Sequence, residues 1–536
     1  MWKCATLLAA LAGWAYAAQP SSDPMTEGLA LLQKGDARRA EVVLRRSVEL
    51  KPDSAPAHNY YGFALGRNGA LDQAVAEFRK ALQIDPKYPD ALYNLGAALV
   101  IQGQAGAAIE NLQAAVALRP NFPEALFELG NALAERKQYR EAIEALRKAI
   151  RLRPDMAAAH TQLALLYTAI HDTKQSVAEF RRAAELQPQS AEAHNNFGVA
   201  LDQDGDLPGA IQQFQRAVKC DSKFVPGILN LAQAMRDNGD LPAAIEHYRR
   251  ALELEPGSAS AHADLGFTLR RSDRLKEALE ELNTAVRLAP DVARSQFYLA
   301  EVLAQSGDSD AALPHYERAA HLSPRDVEFR LKYGTLLSQK SPKEAVVELR
   351  EAARLAPHRS EVLSALAAAM RRSGDAAGAT EMFKRAREES ATAANVSEAV
   401  LQTNKAIDLL KLGQLPTAIE ALRAALTAQP DSADANHYMG IAQSAQGNWS
   451  EANRAFTAAV QSRPADADIH FNYGVALEKQ RDWTGAIREF EAVVSLRPGH
   501  AQGACQLAAA LLRAGEAGRS QSALQSAREL GPCKVD

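Results

Sequence analysis

The chain has 536 residues, with 61 basic side chains against 65 acidic ones and a net charge of −4. No basic patch or stripe breaks that near balance, which argues against a nucleic-acid partner. The 47% of hydrophobic residues is rich in alanine and only 6% of the chain is aromatic, a composition that can build a core and leans to helix.

The first segment differs in kind from the rest. "MWKCATLLAALAGWAYAAQ" carries one lysine, an apolar run and then Ala15-Tyr16-Ala17. This is the pattern of a secretory signal peptide over residues 1–17, cleaved after Ala17. The run is short for a bilayer span, and Cys4 precedes it, which removes a lipoprotein reading. No later stretch is apolar enough to cross a membrane. The expectation is a mature chain outside the cytosol, periplasmic or secreted. Abundant Ala, and Arg in excess of Lys, point to a bacterial source, in which the sequons at Asn395 and Asn448 are chance.

From about Ser21 to Val535 the sequence repeats with a period of 34 residues. In a frame that puts Pro86 at position 32, Pro recurs at 52, 120, 154 and 188 and in most later copies up to Pro532. Position 8 is Gly or Ala in all fifteen copies, and positions 20 and 27 are each Ala in thirteen. Position 24 is always Leu, Phe or Tyr. Positions 4, 7, 8 and 11 form one apolar stripe at helical spacing, and 20, 24 and 27 form another, so each copy holds two helices, A and B. Glycines near position 15, such as Gly69 and Gly447, suit the turn after helix A. Proline in "GDLPGA" sits in the first turn of helix B, and Pro at position 32 ends that helix. One residue is missing near "SQKSPKEA" and five are extra at 394–398. The second irregularity is expected to be a break and hinge between repeats 1–11 (residues 18–393) and repeats 12–15 (residues 399–534).

These letters resemble the tetratricopeptide repeat (TPR): the length, the small residue at 8, Ala at 20, the large residue at 24, Ala at 27 and Pro at 32. The resemblance covers nearly the whole mature chain. It implies an all-α fold, a TPR α-solenoid of antiparallel helix pairs wound into a right-handed superhelix, with helix A lining the concave side. The polar final helix, "GRSQSALQSAREL", suits a terminal cap.

No catalytic motif is present: neither H-E-x-x-H, G-x-S-x-G, G-x-G-x-x-G nor a Walker loop. The chain is therefore read as no enzyme, with no catalytic residues, cofactor or metal. His58, His160, His194, His262 and His470 all fall at position 4 and resemble a ladder of ligands. Successive repeats, however, are about 10 Å apart per helix layer, far beyond a metal–ligand distance of about 2 Å, so packing is the better reading. Cys220 reads as a buried small residue late in a helix B. Cys505 and Cys533 fall near each other in the last hairpin. In an oxidising compartment they are either a disulfide, closing about 29 residues for roughly 3 kcal/mol, or two free thiols.

Positions 2, 5, 6, 9 and 13 lie opposite the packing stripe of helix A, and the resemblance places them in the groove. The candidate partner-binding residues there are the aromatics Tyr93, Phe127, Phe297 and Phe471, together with Asn94, Asn131, Asn195, Asn196, Asn230, Asn404, Asn472 and Arg271. Asparagine amides both donate to and accept from a peptide backbone, and Asn at position 6 is similar to the asparagine ladder of O-linked GlcNAc transferases. The expected function is a non-catalytic scaffold for protein or peptide partners, bound in the groove outside the cytosol. The alternative is an accessory subunit of an envelope glycan synthesis, export or glycosyltransferase system whose catalytic partner is a separate chain.

Overall fold

The structure is a computed structural model that describes residues 23–533. The expected signal peptide and its cleavage site after Ala17 lie outside the described residues. Among those residues there are 29 helices and no strand. Fifteen helix pairs would need one helix more; the difference is a single fusion, described below. The chain divides into two compact units between His315 and Tyr316. Each unit is a run of antiparallel pairs. Repeat 2 in the first pairs Ala55–Arg67 with Leu71–Ile84, and repeat 14 in the second pairs Ala467–Lys479 with Trp483–Leu496. Within a unit, helix A packs on the helix A of the following repeat, as Ala55–Arg67 does on Pro89–Ile101, and helix B on the helix A that follows it, as Leu71–Ile84 does on Pro89–Ile101.

Local chemistry sets the ends of these helices. Ser54 and Ser190 cap a helix A by accepting from the amides of Ala57 and Ala193, at 3.3 and 3.1 Å. Asp206 and Asp482 do the same for helix B, at 3.0 and 2.9 Å. The turn between A and B needs a left-handed residue, and Gly69 supplies it with φ of 86°.

Within a pair, the small residue at position 8 lies directly under the large one at position 24. A Cβ on Gly62 would sit 2.8 Å from the Phe78 ring, and one on Gly440 would sit 2.8 Å from the Phe456 ring. Both rings are almost wholly buried. The glycine is thus a spacing device that brings two helix backbones together over one aromatic side chain.

Between pairs, position 4 makes a recurring hydrogen-bonded bridge. His58 Nδ1 lies 2.6 Å from Glu77 Oε2, and its Nε2 lies 2.9 Å from the Pro52 carbonyl oxygen of the preceding repeat. His160 repeats this with Glu179 and Pro154 at 2.6 and 3.1 Å, and His470 with Glu489 and Pro464 at 2.7 and 3.1 Å. His262 does so with Glu281 and Pro256, and His194 with Gln213 and Pro188. Gln296 takes the slot in repeat 9, donating to the Pro290 carbonyl at 2.8 Å and accepting from His315 Nδ1 at 2.7 Å. Both ring nitrogens of these histidines are therefore engaged, Nδ1 with helix B of the same repeat and Nε2 with the preceding repeat, which gives the histidine ladder its physical role. Pro at position 32 does more than stop helix B, because its free carbonyl is the acceptor that the next repeat grips.

The five extra residues at 394–398 do not interrupt the chain. They lie inside one helix of 36 residues, Ala376–Lys411, which joins helix B of repeat 11 to helix A of repeat 12. Ala391 stands where most other repeats have Pro, and "ATAANVSE" (391–398) contains neither Pro nor Gly to end the helix. The expected break thus appears as continuous helical backbone. At the C-terminus Cys505 and Cys533 are joined by a disulfide, with Cα atoms 5.6 Å apart. Cys220 is half-buried rather than buried.

Two outcomes follow for stability. Gly440→Val drives a branched side chain into the Phe456 ring and should cost about 3 kcal/mol or more in denaturant unfolding, by overpacking. His160→Ala leaves the half-buried Glu179 carboxylate and the Pro154 carbonyl without their hydrogen-bond partner and should cost about 1–3 kcal/mol. His160→Gln can donate to the Pro154 carbonyl as Gln296 does to Pro290, but its amide oxygen then faces Glu179 where Gln296 has His315, so it should restore only part of that loss in the same measurement.

Candidate functional site

The helix-A face opposite the packing stripe is where the sequence places partner contacts. The structure sorts those residues into three groups. Tyr93, Phe127 and Phe297, the expected aromatic anchors, are buried, with Phe127 only 5% exposed. Position 5 points along the stack into the next repeat, so Tyr93 lies 5.0 Å from the ring of Phe122, the residue that precedes the next helix A. Phe471 is half-buried and packs at 5.3 Å on His500 and 6.0 Å on Phe490.

The asparagines form the second group. Asn94 Nδ2 donates to Asn59 Oδ1 at 2.9 Å, and Asn230 Nδ2 to Asn195 Oδ1 at 2.8 Å. Asn472 Nδ2 lies 2.9 Å from His437 Nε2. Burial holds the His437 ring below the usual imidazole range, so it is neutral and accepts there. Each bridge runs from position 6 of one repeat to position 5 of the repeat before. These amides staple successive helices A, and Asn94 and Asn195 are buried in doing so. Asn196 is half-buried. Asn404, in the fused helix, is exposed. Arg271 is exposed and donates to the Arg236 carbonyl at 3.4 Å.

The third group is polar chemistry that stapling leaves over. In repeats 3 and 4, on helices Pro89–Ile101 and Pro123–Glu135, Asn94 Oδ1 and Asn131 Oδ1 are buried acceptors with no hydrogen-bond donor. Between them in sequence stands Glu128, buried, with only a long bond of 3.3 Å from Asn131 Nδ2. Burial pushes the Glu128 carboxyl up to about 7, and the Asn131 bond only partly offsets that. Two acceptors without donors and a carboxyl with one long bond thus lie on the helices A of repeats 3 and 4, an arrangement suited to a chain that supplies N–H groups.

A second cluster spans repeats 7 to 9. Arg236 donates to Asp237 at 3.1 Å and to the Tyr248 hydroxyl at 3.3 Å, lies 3.5 Å from Asp264, and stacks over Phe267 at 5.4 Å. Phe267 stacks in turn on Tyr298 at 4.6 Å. Burial raises the Asp264 carboxyl, against the opposing pull of Arg236. This cluster is internally paired, which distinguishes it from the open acceptors at Glu128. Glu128 and Asp264 both occupy position 6. A reading of that position for asparagine alone passes over them, and the signal that finds them is an acid in a mostly amide or aromatic slot.

Among the described residues no three His, Cys, Asp or Glu side chains converge as a metal set. No described helix is long and apolar enough to cross a membrane.

Comparison with known proteins agrees with the repeat frame. The tetratricopeptide repeat family matches at residues 161–223, 403–443 and 437–501 and, in a second form, at 227–356. The TPR repeat matches at 67–103, 96–136 and 130–170. Comparison with curated proteins gives no match. Among solved structures, MamA from Desulfovibrio magneticus RS-1 (41-end) is 27% identical over 31% of this chain and 93% of its own, with a TM-score of 0.29. Pseudomonas aeruginosa pilF is 22% identical over 38% and 93%, with a TM-score of 0.34. YrrB, described as a TPR protein with an unusual peptide-binding site, is 19% identical over 34% and 95%, with a TM-score of 0.31. With matches running from residue 67 to residue 501 and helices paired throughout in the 34-residue frame, the chain belongs to the tetratricopeptide repeat family.

Proposed function

We propose that this chain is a non-catalytic scaffold that binds an extended peptide or a protein segment on its helix-A face, with repeats 3 and 4 as the principal contact. The observation that carries this reading is the pair of donor-free acceptors, Asn94 Oδ1 and Asn131 Oδ1, beside the buried Glu128 carboxyl, which has a single long bond from Asn131. An extended backbone presents N–H groups at regular intervals and does not require a particular side chain to use them. Arg and Lys side chains would add to the attraction of an ionised Glu128. The family assignment supports a protein-interaction role. The signal-like segment at 1–17 and the Cys505–Cys533 bond, which persists in oxidising compartments, support a place outside the cytosol, periplasmic or secreted.

Screening a library of extended peptides against the full chain by fluorescence anisotropy tests this. Peptides selected by the wild type should lose at least about tenfold in affinity, roughly 1.4 kcal/mol, to the Glu128→Ala, Asn131→Ala double variant. Undiminished binding would remove the assignment.

The pH dependence has a defined sign. Glu128 is raised in the folded chain to about 7, so the folded state holds an extra proton between the ordinary carboxyl value and that point. Stability from this group is present below the unfolded value and is lost as pH rises through 7. Glu128→Gln should remove the slope and gain on the wild type by up to about 3 kcal/mol between pH 5 and pH 8, read as a shift in thermal unfolding. A donor-bearing peptide favours the charged carboxylate, so its affinity should rise over the same window.

A further inference from the structure

The fused helix Ala376–Lys411 leaves one repeat junction unmade, and both of its halves are visible. On the repeat 11 side, Phe383 occupies position 24. The phenylalanines at that position in repeats 2, 6, 13 and 14 (Phe78, Phe214, Phe456 and Phe490) are buried to 2% exposure or less, whereas Phe383 is only half-buried. It lines an open cavity of about 660 Å³ beside helix Ser360–Arg372, together with Ser364, Ala386 and Ser390. This is the space that the next helix A fills at an ordinary junction.

On the repeat 12 side the complementary surface is bare. Position 3 elsewhere buries a small or apolar residue, such as Ala57, Ala91, Ala125 or Ile469, each at 1% exposure or less. In repeat 12 that position is Leu401, and it is 61% exposed. Position 2 is acidic in repeats 3, 4, 13 and 14 (Asp90, Glu124, Asp434, Asp468), where it pairs with Arg119, Arg153, Arg463 and Arg497. In repeat 12 it is Val400, 54% exposed. At about 100° per residue, Val400, Asn404 and Leu401 share one face of the helix. The opposite face, with Ala399, Thr403 and Ala406, is buried and packs on helix Leu415–Ala428.

The stapling bonds identify what belongs there. Position 6 asparagine donates to position 5 of the preceding repeat at Asn94–Asn59 and Asn230–Asn195. At the unmade junction the same two positions are Asn404, which is exposed, and Ser364, which lines the cavity. Donor and acceptor are both present and are held apart along a helix about 54 Å long. Closing the junction within one chain would require a turn at 391–398, a stretch with no Pro or Gly to make one.

We propose that a second copy of this chain closes the junction: helix A of repeat 12 from one protomer seats beside repeat 11 of its partner, and the exchange is reciprocal. The occupant is specified by the molecule itself, since the surface that fits behind repeat 11 is the one repeat 12 carries. A two-fold axis across the fused helices satisfies both junctions at once, as in an exchange of identical elements. Leu401 and Val400 then cover Phe383 and Ala386, and Asn404 reaches Ser364.

The test uses the full chain. Light scattering after size exclusion should give twice the chain mass at micromolar concentration. Val400→Glu with Leu401→Glu, both at exposed positions, should weaken the dimer by at least about tenfold by placing unpaired charge in the contact, with unchanged far-UV circular dichroism. Ser364→Cys with Asn404→Cys, in a Cys220→Ser background, should yield on mild oxidation a covalent dimer whose linked peptides map to 364 and 404. A wild type that is monomeric at every concentration tested would overturn the proposal. So would a 364–404 link formed within single chains, which would mean that repeat 12 folds back on its own repeat 11. A dimer unaffected by the double Glu change and not linked through 364 and 404 would also overturn it.

Discussion

The close approach of two helices over one large side chain is the constraint on which the rest depends. Position 8 holds nothing larger than a methyl group, and at Gly62 and Gly96 no side chain at all, because the ring or isobutyl group of position 24 lies immediately above it, as Phe78 does over Gly62 and Leu112 over Gly96. That contact fixes the distance between helices A and B. It also fixes which faces remain. One face of the pair goes to the preceding repeat, one to the following repeat, and one strip of helix A is left over. A pair alone cannot bury its apolar surface, so the stack is a consequence of the pair's geometry.

Polar residues follow the same economy. The carbonyl released by Pro at position 32, the position 4 side chain and the acid or amide on helix B form a bridge that carries one repeat into the next. The asparagine staples between positions 6 and 5 do the same for helices A. Groups that look free in sequence are mostly consumed in this way. What makes Glu128 stand apart is that its neighbours Asn94 and Asn131 retain unused acceptors while its own carboxyl is buried. A buried acceptor without a donor carries a desolvation cost that a ligand N–H can offset. A chemical claim about a partner therefore begins at that position.

The fused helix shows the same rules by their failure. Where Pro at position 32 is absent and five helix-compatible residues are added, the backbone continues straight and the next helix A never returns to its slot. The side chains that would have met remain built for the meeting. Leu401 is large, apolar and exposed at a position where most repeats bury a small residue, and Phe383 keeps the aromatic of position 24.

Sequence by itself determined the period, the helix pairs, their caps and turns, and the small-under-large packing, because each of these is a local rule repeated often enough to average out exceptions. It also put the two cysteines of the last hairpin within reach of each other. Only the tertiary structure decided what each exposed-looking letter faces. Tyr93 and Phe127 at position 5 are buried, since the next repeat covers a side that a single helical wheel shows as free. The position 4 histidines are bridges, since their partners are six residues back and nineteen ahead, a relation that no local pattern displays. Helical continuity through 394–398 was legible in principle from the missing Pro and Gly. The exposure of the junction it leaves was not, because burial is a property of what packs next to a residue and not of the residue itself.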